Sequence, residues 1–193
     1  MVRCYMASPF FNKEQEFYVD EVMKQLEVIC DMYVPKYHGM KVSEHFTDKS
    51  RLITYQNDLG GIDRCDFVFA ILAYDDIWSM NENSERTDSE LKIMEEKGIT
   101  EEKIKDEKRV VRQIDSGSLL EIGYALGRGK PILAFIPPTT KTNLMLIPSF
   151  LGYTTKIDLC GELTREMLIE KKKFNKAKYI NEEISVDKGV LIK

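Results

Sequence analysis

Apolar residues along this chain gather into short runs separated by longer amphipathic stretches. Four runs carry strand-forming composition: "VRCYMA" (2–7), "MYVP" (32–35), "DFVFAILAY" (66–74) and "PILAFIP" (131–137). The run at 66–74 is almost unbroken, which predicts a central parallel strand covered on both faces. Between the runs lie helical patterns. Phe17, Val22, Leu26 and Ile29 recur near helical spacing and predict a helix over 13–30, with Asn12 as its cap. Further helices are predicted over 51–62, over 117–128 (ending at Gly127 and Gly129) and within 160–180. Residues 36–50 read as a polar loop containing Gly39, and "TTKIDL" (154–159) as an edge strand.

The alternation of strand and helix predicts an α/β fold: a doubly wound, flavodoxin-like parallel sheet with helices on both faces. Ligands of such sheets bind at the carboxyl ends of the strands. That rule gathers residues 5–11, Asp75 and Asp76, the loop at Asp115 and the loop 137–145 along one edge. Residues 1–193 read as a single domain with a charged insertion over 76–112. Within the insertion a helix is predicted over 88–109, broken at Gly98. A solvated hairpin is the plainer reading of that segment, and a lid over a site the sharper one.

Composition narrows the partners. The formal net charge of -4 argues against a nucleic-acid polymer, whose binders carry a basic face. The lysines at 171–173, 176 and 178 read as a solvated helix face. No apolar run approaches the roughly 20 residues of a membrane span, and the amino terminus turns polar too quickly for a signal peptide. The expected address is the cytoplasm. Cys4, Cys30, Cys65 and Cys160 are scattered and read as reduced, buried thiols.

Several chemistries lack their motifs. There is no G-x-G-x-x-G after the first strand, no Walker A sequence and no G-x-S-x-G elbow. His38 and His45, the only histidines, make a weak metal pair, so no metal and no cofactor are expected. What remains is "DSGSLLEIGYALGRGKPILAFIP" (115–137), with two carboxylates at the head of a helix. The plainer reading is a capping box from Ser118 to Glu121, with Asp115 closing the preceding turn. The chemical reading uses the same place differently. A carboxylate in the first helical turn is favoured in its ionised form. It can attack the anomeric carbon of a sugar while a second carboxylic acid protonates the leaving group.

This stretch resembles the signature of the nucleoside 2-deoxyribosyltransferase family, approximately D-x-G-x-x-x-E-x-G-x-A followed by K-P. "YMASPFF", "YHGMKVSEH", "NDLGGIDRCDFVFAIL" and "TNLMLIP" resemble further family segments in the family's order, across most of residues 2–150. The resemblance implies transfer of 2-deoxyribose between nucleobases with retention, through a covalent intermediate on Glu121. It implies that Asp115 contacts the deoxyribose, that Asp66 in "RCDFVF" donates a proton to the base, and that Tyr5 holds the nucleophile. Phe11 and Gly117 fall among its substrate-binding positions. Asn143 and Met145 match residues that a neighbouring subunit contributes, which implies a homo-oligomer, a dimer or higher. Lys36 stands nearest to where members often place a base-contacting glutamine. Two alternatives stay open: N-glycoside hydrolysis of deoxynucleosides or their 5'-monophosphates, and a nucleotide-sensing module without turnover.

Overall fold

A computed structural model describes residues 1–39, 47–76, 112–138, 140, 142–143, 145–169 and 186–187. The chain forms two compact units, residues 1–73 with 114–193, and residues 74–113. The first is built on a five-stranded, wholly parallel sheet. Its strands are β1 (Arg3–Ala7), β2 (Asp31–Tyr33), β3 (Phe67–Ile71), β6 (Ile132–Phe135) and β8 (Gly152–Thr154), ordered β2-β1-β3-β6-β8. Tyr5 pairs with Tyr33 on one side and Val68 on the other; Val68 pairs with Ile132, and Leu133 with Gly152. This is the predicted doubly wound arrangement.

Alternate side chains divide the strands between two cores. Cys4, Met6, Phe67, Phe69, Ile71 and Leu133 pack beneath helix α1 (Lys13–Leu26) and the helix Cys160–Ile169. Tyr5, Ala7, Val68, Ala70, Ile132 and Ala134 pack beneath α3 (Asp48–Arg64) and α4 (Ser116–Gly127). A strand covered on both faces has no polar side to show, which explains why 66–74 reads as a continuous apolar run.

Local chemistry moves several boundaries. Asn12 caps α1 through a box with Gln15, but the helix stops at Leu26 so that Asp31 N–H can reach Val2 O at 2.8 Å and open β2. Pro35 does not merely stop β2; it starts a one-turn helix, α2 (Pro35–His38), inside the expected loop. Thr47 and Ser50 form a reciprocal box that starts α3 at Asp48 rather than residue 51. The edge strand β8 ends at Thr154, and Ile157–Leu159 is a 3-10 turn, not strand. All four cysteines are buried and free.

The second unit is described only at its ends, Tyr74–Asp76 and residues 112–113; β4 (Tyr74–Asp76) pairs with β5 (Arg112–Ile114) in a two-stranded sheet. The helix predicted over 88–109, the lid reading of 76–112 (save its ends) and the lysines at 171–178 lie outside the described residues, as does His45. No described helix is long and apolar enough to cross a membrane.

Candidate active site

The turn from β5 into α4 sets up the first carboxylate. Asp115, not Ser118, is the N-cap: its Oδ2 accepts the Ser118 N–H at 2.5 Å, and the residue is buried. A Cβ at position 117 would meet that same Oδ2 at 3.1 Å, so Gly117 leaves the cap carboxylate its space. The capping box expected between Ser118 and Glu121 does not form. With Asp115 already satisfying the helix start, Glu121 is released from capping.

Glu121 lies on the inward stripe of α4, beside the buried Ser118, Ile122 and Ala125. Its carboxylate turns toward the sheet and meets β1: the Tyr5 hydroxyl donates to Glu121 Oε1 at 2.6 Å. The Tyr5 ring is fully buried. Burial, then the charges of Glu121 and Asp58, push its phenol far above the ordinary tyrosine range, so Tyr5 serves as a neutral donor.

Asp58 on α3 is the third member, and it escaped the sequence reading. Gly61 and Ile62, three and four residues on, are the buried residues of that helix, so Asp58 shares the sheet-facing stripe. Its Oδ1 is buried with no hydrogen-bond partner among the described residues. Burial raises its carboxyl to about 6. The signal was legible in "NDLGGI": an aspartate at i-4 from an apolar helix residue, where a solvated face would not place it.

Burial likewise pushes the Glu121 carboxyl up to about 8; the Tyr5 hydrogen bond opposes this, and the charges of Asp58 and Asp115 add to it. The raised carboxyls of Asp58 and Glu121, the latter held by a neutral phenol, can bind a proton between them at neutral pH. Such a set can offer both a nucleophile and an acid. The buried hydroxyls of Ser8, just past β1, and Ser118, in the first turn of α4, also lack partners among the described residues. No group of three or more His, Cys, Asp or Glu suited to a metal ion occurs among the described residues.

The other sequence candidates have their described contacts with other residues. Asp66 is exposed and precedes β3, where its Oδ2 accepts the Arg3 N–H at 2.8 Å. That bond ties the amino ends of two parallel strands, whereas α4 begins at their carboxyl ends. The described partners and charged neighbours of Glu121 are Tyr5, Asp58 and Asp115. Phe11, in the loop leaving β1, is half exposed, rests against Phe10, and gives its N–H to Gln15 Oε1 at 2.7 Å. Lys36 forms an ion pair with Asp20 of α1 at 2.8 Å. Asn143 lies in β7 (Thr142–Asn143), and Met145 beyond it is 84% exposed. The side chains of Asp75, Asp76 and Asn143 lie outside the described features.

No protein-family model matches the chain, and neither does any curated protein sequence. Solved structures do. The CMP N-glycosidase of Clostridium botulinum is similar at TM-score 0.46 and 11% identity, over 84% of this chain and 98% of that one. A 2-deoxyribosyltransferase of Leishmania mexicana is similar at TM-score 0.42 and 16% identity, over 78% and 73%. The 2-deoxyribosyltransferase of the psychrotolerant bacterium Bacillus psychrosaccharolyticus reaches TM-score 0.57 at 22% identity, over 83% of this chain and 90% of that one. The five-stranded parallel α/β fold of this chain is thus the fold of that bacterial 2-deoxyribosyltransferase.

Proposed function

We propose that this protein transfers 2-deoxyribose from one nucleobase to another, with Glu121 as nucleophile and Asp58 as the acid and base. The observation that carries the reading is the hydrogen bond of Tyr5 to Glu121 within electrostatic reach of Asp58, whose Oδ1 is buried with no hydrogen-bond partner among the described residues. Glu121 Oε attacks C1' of a bound deoxynucleoside. The C1'–N bond breaks, a C1'–O bond forms, and the departing base takes the Asp58 proton. A second base then attacks C1' from the face the first one left. The C1'–O bond breaks, the incoming base returns a proton to Asp58, and Glu121 is regenerated as carboxylate. Two inversions leave the configuration retained.

Asp58, at about 6, and Glu121, at about 8, hold one proton between them through neutral pH. The productive arrangement puts that proton on Asp58. Burial of Glu121 works against that arrangement, and its hydrogen bond from Tyr5 works for it. A base nitrogen accepting from Asp58 shifts the balance further toward the productive form.

Asp115 faces the sugar in this reading, and its carboxylate with Glu121 disfavours a 5'-phosphate dianion. The donor is therefore a neutral nucleoside with a free 5'-hydroxyl. Asn143 and the exposed Met145 would complete the site of a second copy of the chain, which calls for a homo-oligomer. Hydrolysis is the second reading. Glu121 is only partly enclosed, so water can reach the intermediate in the isolated subunit.

The test is chromatographic: deoxyadenosine or thymidine is incubated with free cytosine or adenine, with Glu121→Ala alongside. A new deoxynucleoside, absent with the variant, supports transfer. Free base and free deoxyribose alone mean hydrolysis. No turnover of deoxynucleosides or their monophosphates means the fold serves binding only.

A further inference from the structure

Gly61 sits in the body of α3, where glycine costs about 1 kcal/mol against alanine. The backbone does not require it: among the described residues only Gly129 has a positive φ. Space does. A Cβ at Gly61 would stand 3.0 Å from both Tyr5 Cδ2 and Tyr5 Cε2, and 3.1 Å from Tyr33 Cδ1. The two rings are themselves stacked, with centroids 5.5 Å apart and planes 13° from parallel. Behind Tyr33, His38 stacks at 5.5 Å and 27°. His38 is anchored in turn, its Nδ1 lying 3.0 Å from the Val34 N–H. The Tyr5 ring is thus held by α3 at Gly61 and by a column of rings running back through β2 to α2. At its far end the Tyr5 hydroxyl donates to Glu121 Oε1 at 2.6 Å.

We propose that Gly61 and Tyr33 are positioning residues that clamp the Tyr5 ring so that its hydroxyl stays on Glu121 Oε1. A phenol swings its oxygen by the ring's tilt, and a hydrogen bond of this length weakens steeply when misaligned. Bare backbone at 61, close to both rings, and the flat ring at 33 stacked on Tyr5 limit that tilt. The consequence falls on Glu121, whose ionisation the Tyr5 donor favours against burial and against Asp58 and Asp115. The inference deepens the reading of Glu121 as the reacting carboxylate and rests on it for its catalytic meaning.

The test reads the Glu121 carboxyl directly. Its titration is followed by carbon-13 NMR in the full chain, assigned by loss of the signal in Glu121→Gln, with deoxyribosyl transfer measured alongside. Gly61→Ala and Tyr33→Leu are expected to raise the Glu121 midpoint by about 0.5 to 1 pH unit. Both should lower kcat about tenfold with KM within about twofold. Tyr33→Phe keeps the ring and should titrate as wild type. In a Tyr5→Phe background, where no hydroxyl remains to position, neither substitution should move the midpoint further. The proposal fails if Gly61→Ala and Tyr33→Leu lower Tm but leave the midpoint at its wild-type value, for then the contact is packing alone. Should Gly61→Ala not fold, Tyr33→Leu decides, because Tyr33 is partly exposed. A shifted midpoint in a protein that turns over no deoxynucleoside would uphold the clamp and overturn the transfer reading.

Discussion

The Tyr5 hydroxyl donates to Glu121 Oε1 at 2.6 Å across a sequence separation of 116 residues, joining the first strand to the first turns of α4. One partner is buried because it belongs to a two-sided sheet, and the other is free to reach it because Asp115 has taken over the helix cap.

Removing that donor should hurt turnover more than folding. A hydrogen bond to a charged group contributes about 1.5 to 3 kcal/mol. If the bond matters chiefly when Glu121 is ionised, Tyr5→Phe lowers kcat/KM about ten- to hundredfold. Initial rates of deoxynucleoside formation measure this. A rate equal to wild type would remove Tyr5 from the mechanism.

The acid should map to α3 and not to the amino end of β3. Asp58→Asn is expected to cost about a hundredfold or more with ordinary deoxynucleosides, whose base needs a proton to leave. The loss should shrink with 2-deoxyribosyl fluoride, whose leaving group needs none. Asp66→Asn should leave the rate within about twofold, since the described role of that side chain is to hold the Arg3 N–H. The opposite ranking would restore Asp66 to the role its sequence neighbourhood suggested.

The rate should be bell-shaped in pH, because the working pair carries a single proton. Activity rises as pH passes about 6 and falls as it passes about 8, the values of the Asp58 and Glu121 carboxyls. A kcat/KM profile over pH 4.5 to 10 tests this. A plateau running unbroken past pH 9.5 would contradict a required proton.

The raised Glu121 carboxyl also predicts the stability. The native state holds this proton to about pH 8, whereas an unfolded glutamate releases it near its ordinary 4.5. Between those values the folded chain binds more protons, so this group lowers stability as pH rises through the window. Glu121→Gln is neutral throughout. It should be more stable than wild type by about 2 kcal/mol or more at pH 8, with the gap closing toward pH 4.5. Thermal melts across that range check both sign and trend.

Asp115 separates capping from chemistry. Asparagine caps as well as aspartate, so Asp115→Asn should keep stability within about 0.5 kcal/mol, whereas Asp115→Ala loses about 1 kcal/mol. Both should lose activity if the carboxylate faces the sugar. Loss with alanine alone would make Asp115 a cap and nothing more.

The order of strands and helices was legible in the sequence because it rests on local periodicity: unbroken apolar runs for two-sided strands, helical spacing between them. The position of Asp115 and Glu121 at the carboxyl ends of the sheet followed from the same pattern, since a helix leading into β6 must begin there. Three things needed the tertiary structure. Ser118 and Asp115 are both good caps in sequence, and only the backbone path out of β5 gives the cap to Asp115. Asp66 and Asp58 stand eight residues apart in one quoted segment. The turn out of α3 sends Asp66 to the amino end of β3 and leaves Asp58 within electrostatic reach of Tyr5 and Glu121. The glycine at 61 looks like a weak point in a helix until two aromatic rings from separate strands are seen to occupy the space a Cβ would need. Periodicity is a property of neighbours along the chain, whereas proton sharing and close approach depend on distances between segments far apart in it.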